Sequence, residues 1–344
     1  MRSAIAAVAL ALGIGISTAQ GQSSWTALPQ QAHAPANNPT TPAKVELGRL
    51  LFNDNRLSES RTVSCASCHN VAQGGADSRT LSVGVHGQTD TRNTPTVLNV
   101  GFLAAFFWDA RAESLEEQAK MQLLDPIDMG MKSLPYALER IRQIPGYGPY
   151  FKRAFGSGDV ETIDNLVRAI AAYERSLVTA NAPYDRFVAG DSSAMSEQQV
   201  RGMNEFKSLD CSRCHQGPAF DGPSLVPGTP WVMTFPTYRR SPYVAAYDLG
   251  KDQGRYQWTG KDSDRYQWRV PSLRNLKYTA PYMHNGAVDT LPNAVRIMGS
   301  TELNQTLTDA EVADIVSFLE ALSGPLPVEP IVSLPDASTP ATAP

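Results

Sequence analysis

One pentapeptide pattern occurs twice and uses every cysteine in the chain: Cys65-Ala66-Ser67-Cys68-His69 and Cys211-Ser212-Arg213-Cys214-His215. Two thiols three residues apart, followed at once by an imidazole, form the c-type haem attachment pattern. The sulfurs add across two vinyl groups on one edge of the macrocycle, and the next side chain comes beneath the iron as its proximal ligand. Three other uses of such cysteines explain the sequence less well. Two zinc knuckles would be 146 residues apart, each trailed by a histidine that zinc does not require. A thioredoxin-type pair needs a βαβ setting, and none is visible. Two local disulfides leave the histidines unexplained, although the whole chain has only five. A helix followed by this motif, once in each half, is the chain's larger internal repeat.

The rest of the sequence sets the context. Its 344 residues suffice for one or two domains, and 30 basic against 34 acidic side chains leave no electrostatic footprint for nucleic acid. Residues 1–19 read as a secretory signal: Arg2, an apolar run from Ile5 to Ile16, then Ser17-Thr18-Ala19, with cleavage near Ala19. Export to a periplasm is expected, with no membrane-spanning segment in the mature chain. Residues 20–43 form a polar, solvated lead-in. Thr41-Pro42 opens a helix carrying Leu47, Leu50, Leu51 and Phe52, and a second helix covers about Glu161 to Val178. Breakers at 181–184 and 190–193 mark a boundary between an N-terminal unit (44–180) and a C-terminal one (181–323). Ser196 with Gln199, and Thr308 with Glu311, are capping boxes for two more helices. Six prolines after Gly324 define a tail, 324–344, expected to act as a flexible tether. The class is mostly α with long connecting loops. A short duplication, Gly254-Arg255-Tyr256-Gln257-Trp258 echoed by Asp264-Arg265-Tyr266-Gln267-Trp268, is too brief to indicate a solenoid.

Two haems need further axial ligands or an open position. His33, His86, His284, Met283 and Met298 are the side chains available. From the residues alone each has an ordinary role open to it: His33 in the polar lead-in, His86 on a Gly-rich surface loop, the methionines as core fillers.

The two motifs, together with Phe107-Trp108-Asp109-Ala110-Arg111, the run Arg269-Val270-Pro271-Ser272-Leu273-Arg274-Asn275 and the run from Thr279 to Gly286, resemble the bacterial dihaem cytochrome c peroxidases. That family also holds the methylamine-utilisation dihaem oxidases. The resemblance spans about residues 40–323. It implies two cytochrome c-like domains, each with one covalently bound haem, the last helix being able to pack back on the N-terminal unit. The peroxidatic haem belongs to the N-terminal domain and the electron-accepting haem to the C-terminal one. By position His69 matches the proximal ligand of the peroxidatic haem, and His86 its resting-state distal ligand, released on reduction. Trp108 matches the tryptophan between the haems, and Gln118 the distal-pocket glutamine. Asp128 stands where the family carries a catalytic glutamate, a departure that shortens the carboxylate's reach by one carbon. His215 and Met298 match the ligands of the second haem; the oxidase branch has tyrosine at the latter position. Asn93, Thr279 and Pro281 match ligands of a calcium ion. The implied activity is that of a cytochrome-c peroxidase: reduction of hydrogen peroxide with electrons from a small cytochrome c or copper protein, with a homodimer as one possible state. A dihaem oxidase of protein or organic substrates and a non-catalytic dihaem electron carrier are the alternatives.

Overall fold

The computed structural model describes residues 25–223, 228–229 and 231–336, so the proposed signal segment lies outside the described residues. The chain is mostly helical. In order it forms α1 (Pro42–Phe52), α2 (Cys65–Cys68), α3 (Leu115–Leu124), α4 (Leu134–Arg142), α5 (Gly148–Phe155), α6 (Ile163–Ser176), α7 (Pro183–Val188) and α8 (Glu197–Ser208). Then follow β1 (Val232–Thr234), α9 (Pro242–Ala246), α10 (Tyr256–Thr259), β2 (Gln267–Arg269), α11 (Leu291–Glu302) and α12 (Asp309–Ala321). The strands pair antiparallel, with Met233 opposite Trp268.

Local chemistry starts the helices where expected. Thr41 caps α1 ahead of Pro42, Thr162 caps α6, and both capping boxes close on α8 and α12. Each side-chain oxygen takes one backbone N–H left without an intrahelical acceptor.

Buried apolar residues gather in two large clusters. One runs from Leu47 to Leu177 and is centred on the crossing of α1 with α6; the other runs from Tyr184 to Leu322 around α8 and α12. The two crossings share a joint. Gly48 lies against the Ala169 carbonyl, and four residues on Phe52 meets Tyr173 edge-on at 5.2 Å. Gly202 lies against the Asp314 carbonyl, and four residues on Phe206 meets Phe318 at 5.4 Å. Each phenylalanine then reaches the histidine of its half: Phe52 to His69 and Phe206 to His215, both at 6.4 Å. Removing the β-carbon lets two helix backbones touch, and the aromatic pair one turn later fills the wedge.

Three expectations are corrected here. The lead-in is docked rather than solvated: Trp25 packs edge-on against Tyr184 and Phe318, Leu28 is buried with its N–H on Asp185, and Asn38 is buried between Lys44 and Glu116. The last helix, α12, belongs to the second cluster, since its partner is α8. What reaches back to the first cluster is the tail. Leu326 and Val332 pack on it, Arg49 and Arg56 donate to the carbonyls of Pro330 and Pro335, and Pro335 seats on Gly146. Proline lacks a donor but its carbonyl still accepts, so arginines fasten an irregular strap.

Candidate functional site

A cavity of about 410 Å³ opens in the N-terminal half, and Cys65, Cys68 and His69 stand in its wall. α2 is a single turn whose Ser64–Ser67 capping box sets the two cysteines and delivers His69 at its end. The His69 Nδ1 meets the Gly75 carbonyl at 3.1 Å, which fixes the ring and leaves Nε2 as the free ligating atom. Burial holds this imidazole below its ordinary pKa, hence neutral, the form that binds iron. Apolar side chains make up much of the rest of the wall, among them Phe52, Val97, Leu115, Leu123, Met129 and Ile170. All four cysteines are free thiols. Burial pushes Cys65 up to about 12 and Cys68 to about 11, so they stay protonated rather than acting as thiolate metal ligands. An apolar slot with two thiols on one edge and one oriented imidazole fits a haem; among the described residues no group of three or more His, Cys, Asp or Glu converges as a bare-ion site would require.

The second motif repeats the arrangement. His215 is buried, its Nδ1 meets the Phe220 carbonyl at 3.0 Å, and burial again keeps it neutral. Met298 is half-buried on α11, while Met283 packs against the second apolar cluster.

Gln118 and Asp128 line the same cavity as His69. α3, capped by Ser114, carries Gln118, with Gln122 one turn further on. The Asp125 carboxylate then takes the N–H groups of Ile127 and Asp128 and folds the following loop into place. Gln122 donates to the Asp128 carboxylate. Burial first, then the neighbouring Asp90 and Asp125 charges, raise Asp128 from the ordinary 3.8 to about 7. A carboxyl poised there exchanges protons readily in neutral solution.

Trp108 also stands in the cavity wall, on the seam between the halves. Its Nε1 donates to Asn93 O at 2.8 Å, and its own carbonyl accepts from the Arg269 N–H at 2.9 Å. A buried ionic network runs beside it: Arg92 reaches Asp109 at 2.6 Å and Asp252 at 2.8 Å.

His86 is placed elsewhere. It sits on an exposed turn with φ 57°, and its Nε2 pairs with Glu59 at 2.7 Å instead of entering the cavity. That turn is nonetheless tied to the Asp128 loop, through Val85 N–H to Ile127 O at 2.8 Å and Gln88 to Pro126 O at 3.1 Å. His33 is exposed. His284 is buried, stacked on Trp268 with centroids 4.3 Å apart. Asn93 is buried, its amide facing the carbonyls of Arg79 and Thr80. Pro281 borders a neighbouring cavity with Thr80 and Asp289.

One wall residue has no separate signal in the sequence. Glu174 is buried on α6 with Oε2 unpartnered, and burial raises it from 4.5 to about 8. On the helical face that carries Ile170 it reads as one more polar position.

A helical chain with two such motifs, the first in the wall of a cavity that also holds an amide and a carboxyl, has the build of a dihaem c-type cytochrome with a reactive cavity. The family described as di-haem cytochrome c peroxidase matches residues 42–193. The cytochrome c551 peroxidase of Nitrosomonas europaea is 38% identical, over 88% of this chain and 89% of that one. The methylamine utilization protein MauG of Methylorubrum extorquens is 36% identical, over 86% and 82%. A solved MauG-like protein associated with microbial copper homeostasis superposes with a TM-score of 0.75 at 27% identity, covering 86% of this chain and 93% of that one. The chain belongs to the di-haem cytochrome c peroxidase family.

Proposed function

We propose that the chain is an exported cytochrome-c peroxidase that reduces hydrogen peroxide to water with electrons from a small cytochrome c or copper protein. The observation that carries this reading is the meeting of Gln118 and Asp128 with His69 in one cavity. Cys65 and Cys68 would hold one haem by thioether bonds, Cys211 and Cys214 the other. His69 would ligate the first iron, and His215 with Met298 the second. Bound haem supplies the electrons that cleave the O–O bond.

The chain's own groups do the remaining work. Gln118 donates its amide N–H to the peroxide and orients it. The Asp128 carboxylate takes a proton from one peroxide oxygen and returns it to the other, so hydroxide leaves as water; Gln122 holds the carboxylate for both transfers. Two electrons and two protons then convert one peroxide into two waters. Trp108 offers a π-system on the seam for electrons crossing between the halves. Domains 44–180 and 181–323 would each carry one haem, in line with the two apolar clusters. His86 would close the cavity only if its turn left Glu59, which makes it a switch. Asn93, with the carbonyls of Thr279 and Pro281, would hold calcium at the seam.

The MauG relative, at similar identity, favours one second reading, oxidation of a protein or organic substrate. Met298, where that branch has tyrosine, weighs for peroxide reduction.

The test is steady-state peroxide turnover by the haem-loaded protein with a reduced small cytochrome c, with and without pre-reduction and calcium. Rapid turnover after pre-reduction is expected. A sample whose spectrum shows both haems and that consumes no peroxide would refute the reading.

A further inference from the structure

The duplicated pentapeptide ends in two tryptophans with opposite fates. Trp268 is 4% exposed, stacked on His284, with its Nε1 on the Phe235 carbonyl at 3.1 Å. Trp258 is 58% exposed yet lines the cavity that holds Cys65, His69, Gln118 and Asp128. Among the described residues no other strongly exposed large apolar side chain borders it. This indole meets both the solvent and the reactive cavity.

The turn carrying Trp258 is pinned to the rim. Its N–H donates to Arg255 O at 3.0 Å, and Arg255 Nη1 reaches the carbonyls of Asp109 at 2.9 Å and Ala110 at 2.7 Å. The adjoining Gln257 accepts from Arg92 Nη2 at 3.3 Å. Asp90, Asp109 and Asp125 face Arg92, Arg111 and Arg269 around the cavity, while burial keeps Glu174 protonated up to about pH 8 and Asp128 up to about pH 7, so near neutral pH its field is close to balanced. Neutral aromatic molecules fit that surface, since a ring can lie offset on the open indole face.

We propose that Trp258 is a surface oxidation site at which neutral phenols deliver electrons, one at a time, to the cavity. This rests on the peroxidase reading and adds a substrate class to it. Two phenols each give up the hydrogen of their O–H, the electron through the indole and the proton to the peroxide oxygens. The O–O bond breaks, and the products are two phenoxyl radicals and two waters. Peroxide is reduced and phenol oxidised, with no further reactant.

Guaiacol is the probe, assayed with the haem-loaded protein and peroxide beside parallel assays with a reduced small cytochrome c. Trp258→Phe keeps the shape but not the ease of oxidation, and should lower guaiacol oxidation by about tenfold or more while cytochrome-supported turnover stays within about twofold. Trp258→Tyr, redox-active again, should recover most of the loss. In a spin-trapping experiment, peptide mass spectrometry should find the adduct on Trp258 of the haem-loaded chain and not of the haem-free chain. Guaiacol oxidation by Trp258→Phe at the wild-type rate would overturn the proposal. So would a wild-type protein that turns over peroxide with cytochrome but leaves guaiacol untouched. Failure with both donors would instead refute the peroxidase reading beneath it.

Discussion

Gly48→Ala puts the helix joint of the N-terminal half under direct test. A β-carbon there would stand 2.0 Å from Ala169 O, 2.6 Å from its carbonyl carbon and 2.8 Å from Tyr173 Cβ. Ordinary contact begins near 3.4 Å, so α1 and α6 would have to part by about 1.4 Å along that line. Overpacking costs about 1–3 kcal/mol when side chains can rearrange. Here the nearest atoms are backbone on both sides, which places the expected loss at the upper end, about 3 kcal/mol, or roughly two powers of ten in the folding equilibrium. Phe52, Ile170 and Glu174 ride on these helices and line the cavity, so the change should also loosen the histidine's surroundings. The assay is guanidinium denaturation of the haem-loaded protein, followed by tryptophan fluorescence and haem absorbance together. Gly148→Ala is the control. Its backbone is already helical, its β-carbon would meet only the movable Glu161 Oε1 at 3.3 Å, and no loss is expected. If the two variants unfold within about 0.5 kcal/mol of each other, the close-approach reasoning is wrong.

Three further outcomes are expected. Asp128→Asn should lower peroxide turnover by about 10²–10⁴ while Asp128→Glu retains it, and wild-type kcat/KM should fall as pH drops below about 7, where the carboxylate takes up its proton; equal turnover by the Asn variant would remove Asp128 from the chemistry. Glu174 keeps its proton up to about pH 8 when folded but loses it near the ordinary 4.5 when unfolded, so its contribution to stability is full at low pH and is lost as pH rises through that window. Glu174→Gln should therefore match wild type at about pH 5 and exceed it at about pH 9; denaturation midpoints at the two pH values check this, and a variant weaker at the higher pH contradicts it. His86→Gly should cost no stability, because φ 57° suits glycine and the Glu59 pair is exposed, and should give turnover without pre-reduction; a persistent need for reductant would dismiss the switch.

The parts of the molecule legible in its sequence are those governed by nearest neighbours. Thr41-Pro42, Ser196 with Gln199 and Thr308 with Glu311 act within one helical turn, and their helices start where those residues stand. The two attachment motifs are equally local. Long-range choices were harder to read. α3 has little apolar periodicity, whereas α4 and α5 do carry an apolar face but span only nine and eight residues, too few to stand out from loops by pattern alone. The Gly48–Phe52 and Gly202–Phe206 joints share a four-residue spacing, but their glycines lie 17 and 9 residues before their motifs, so aligning the motifs does not bring them into register. His86 shows the limit most clearly: its distance from His69 along the chain is short, yet the turn points to Glu59. Pro-rich composition suggested a free tail, because composition does not record that Arg49 and Arg56 await its carbonyls.

That tail sets an order of events. Residues 326–335 are synthesised after both halves, yet they cover apolar side chains of the N-terminal one. The N-terminal half therefore stays incomplete until the C-terminal half has emerged: its apolar cluster lacks Leu326 and Val332, and Arg49 and Arg56 lack their carbonyl acceptors. Closure of the strap is thus the last step in folding the N-terminal half, and a chain truncated before Leu326 would carry both motifs with that half's outer apolar face left uncovered.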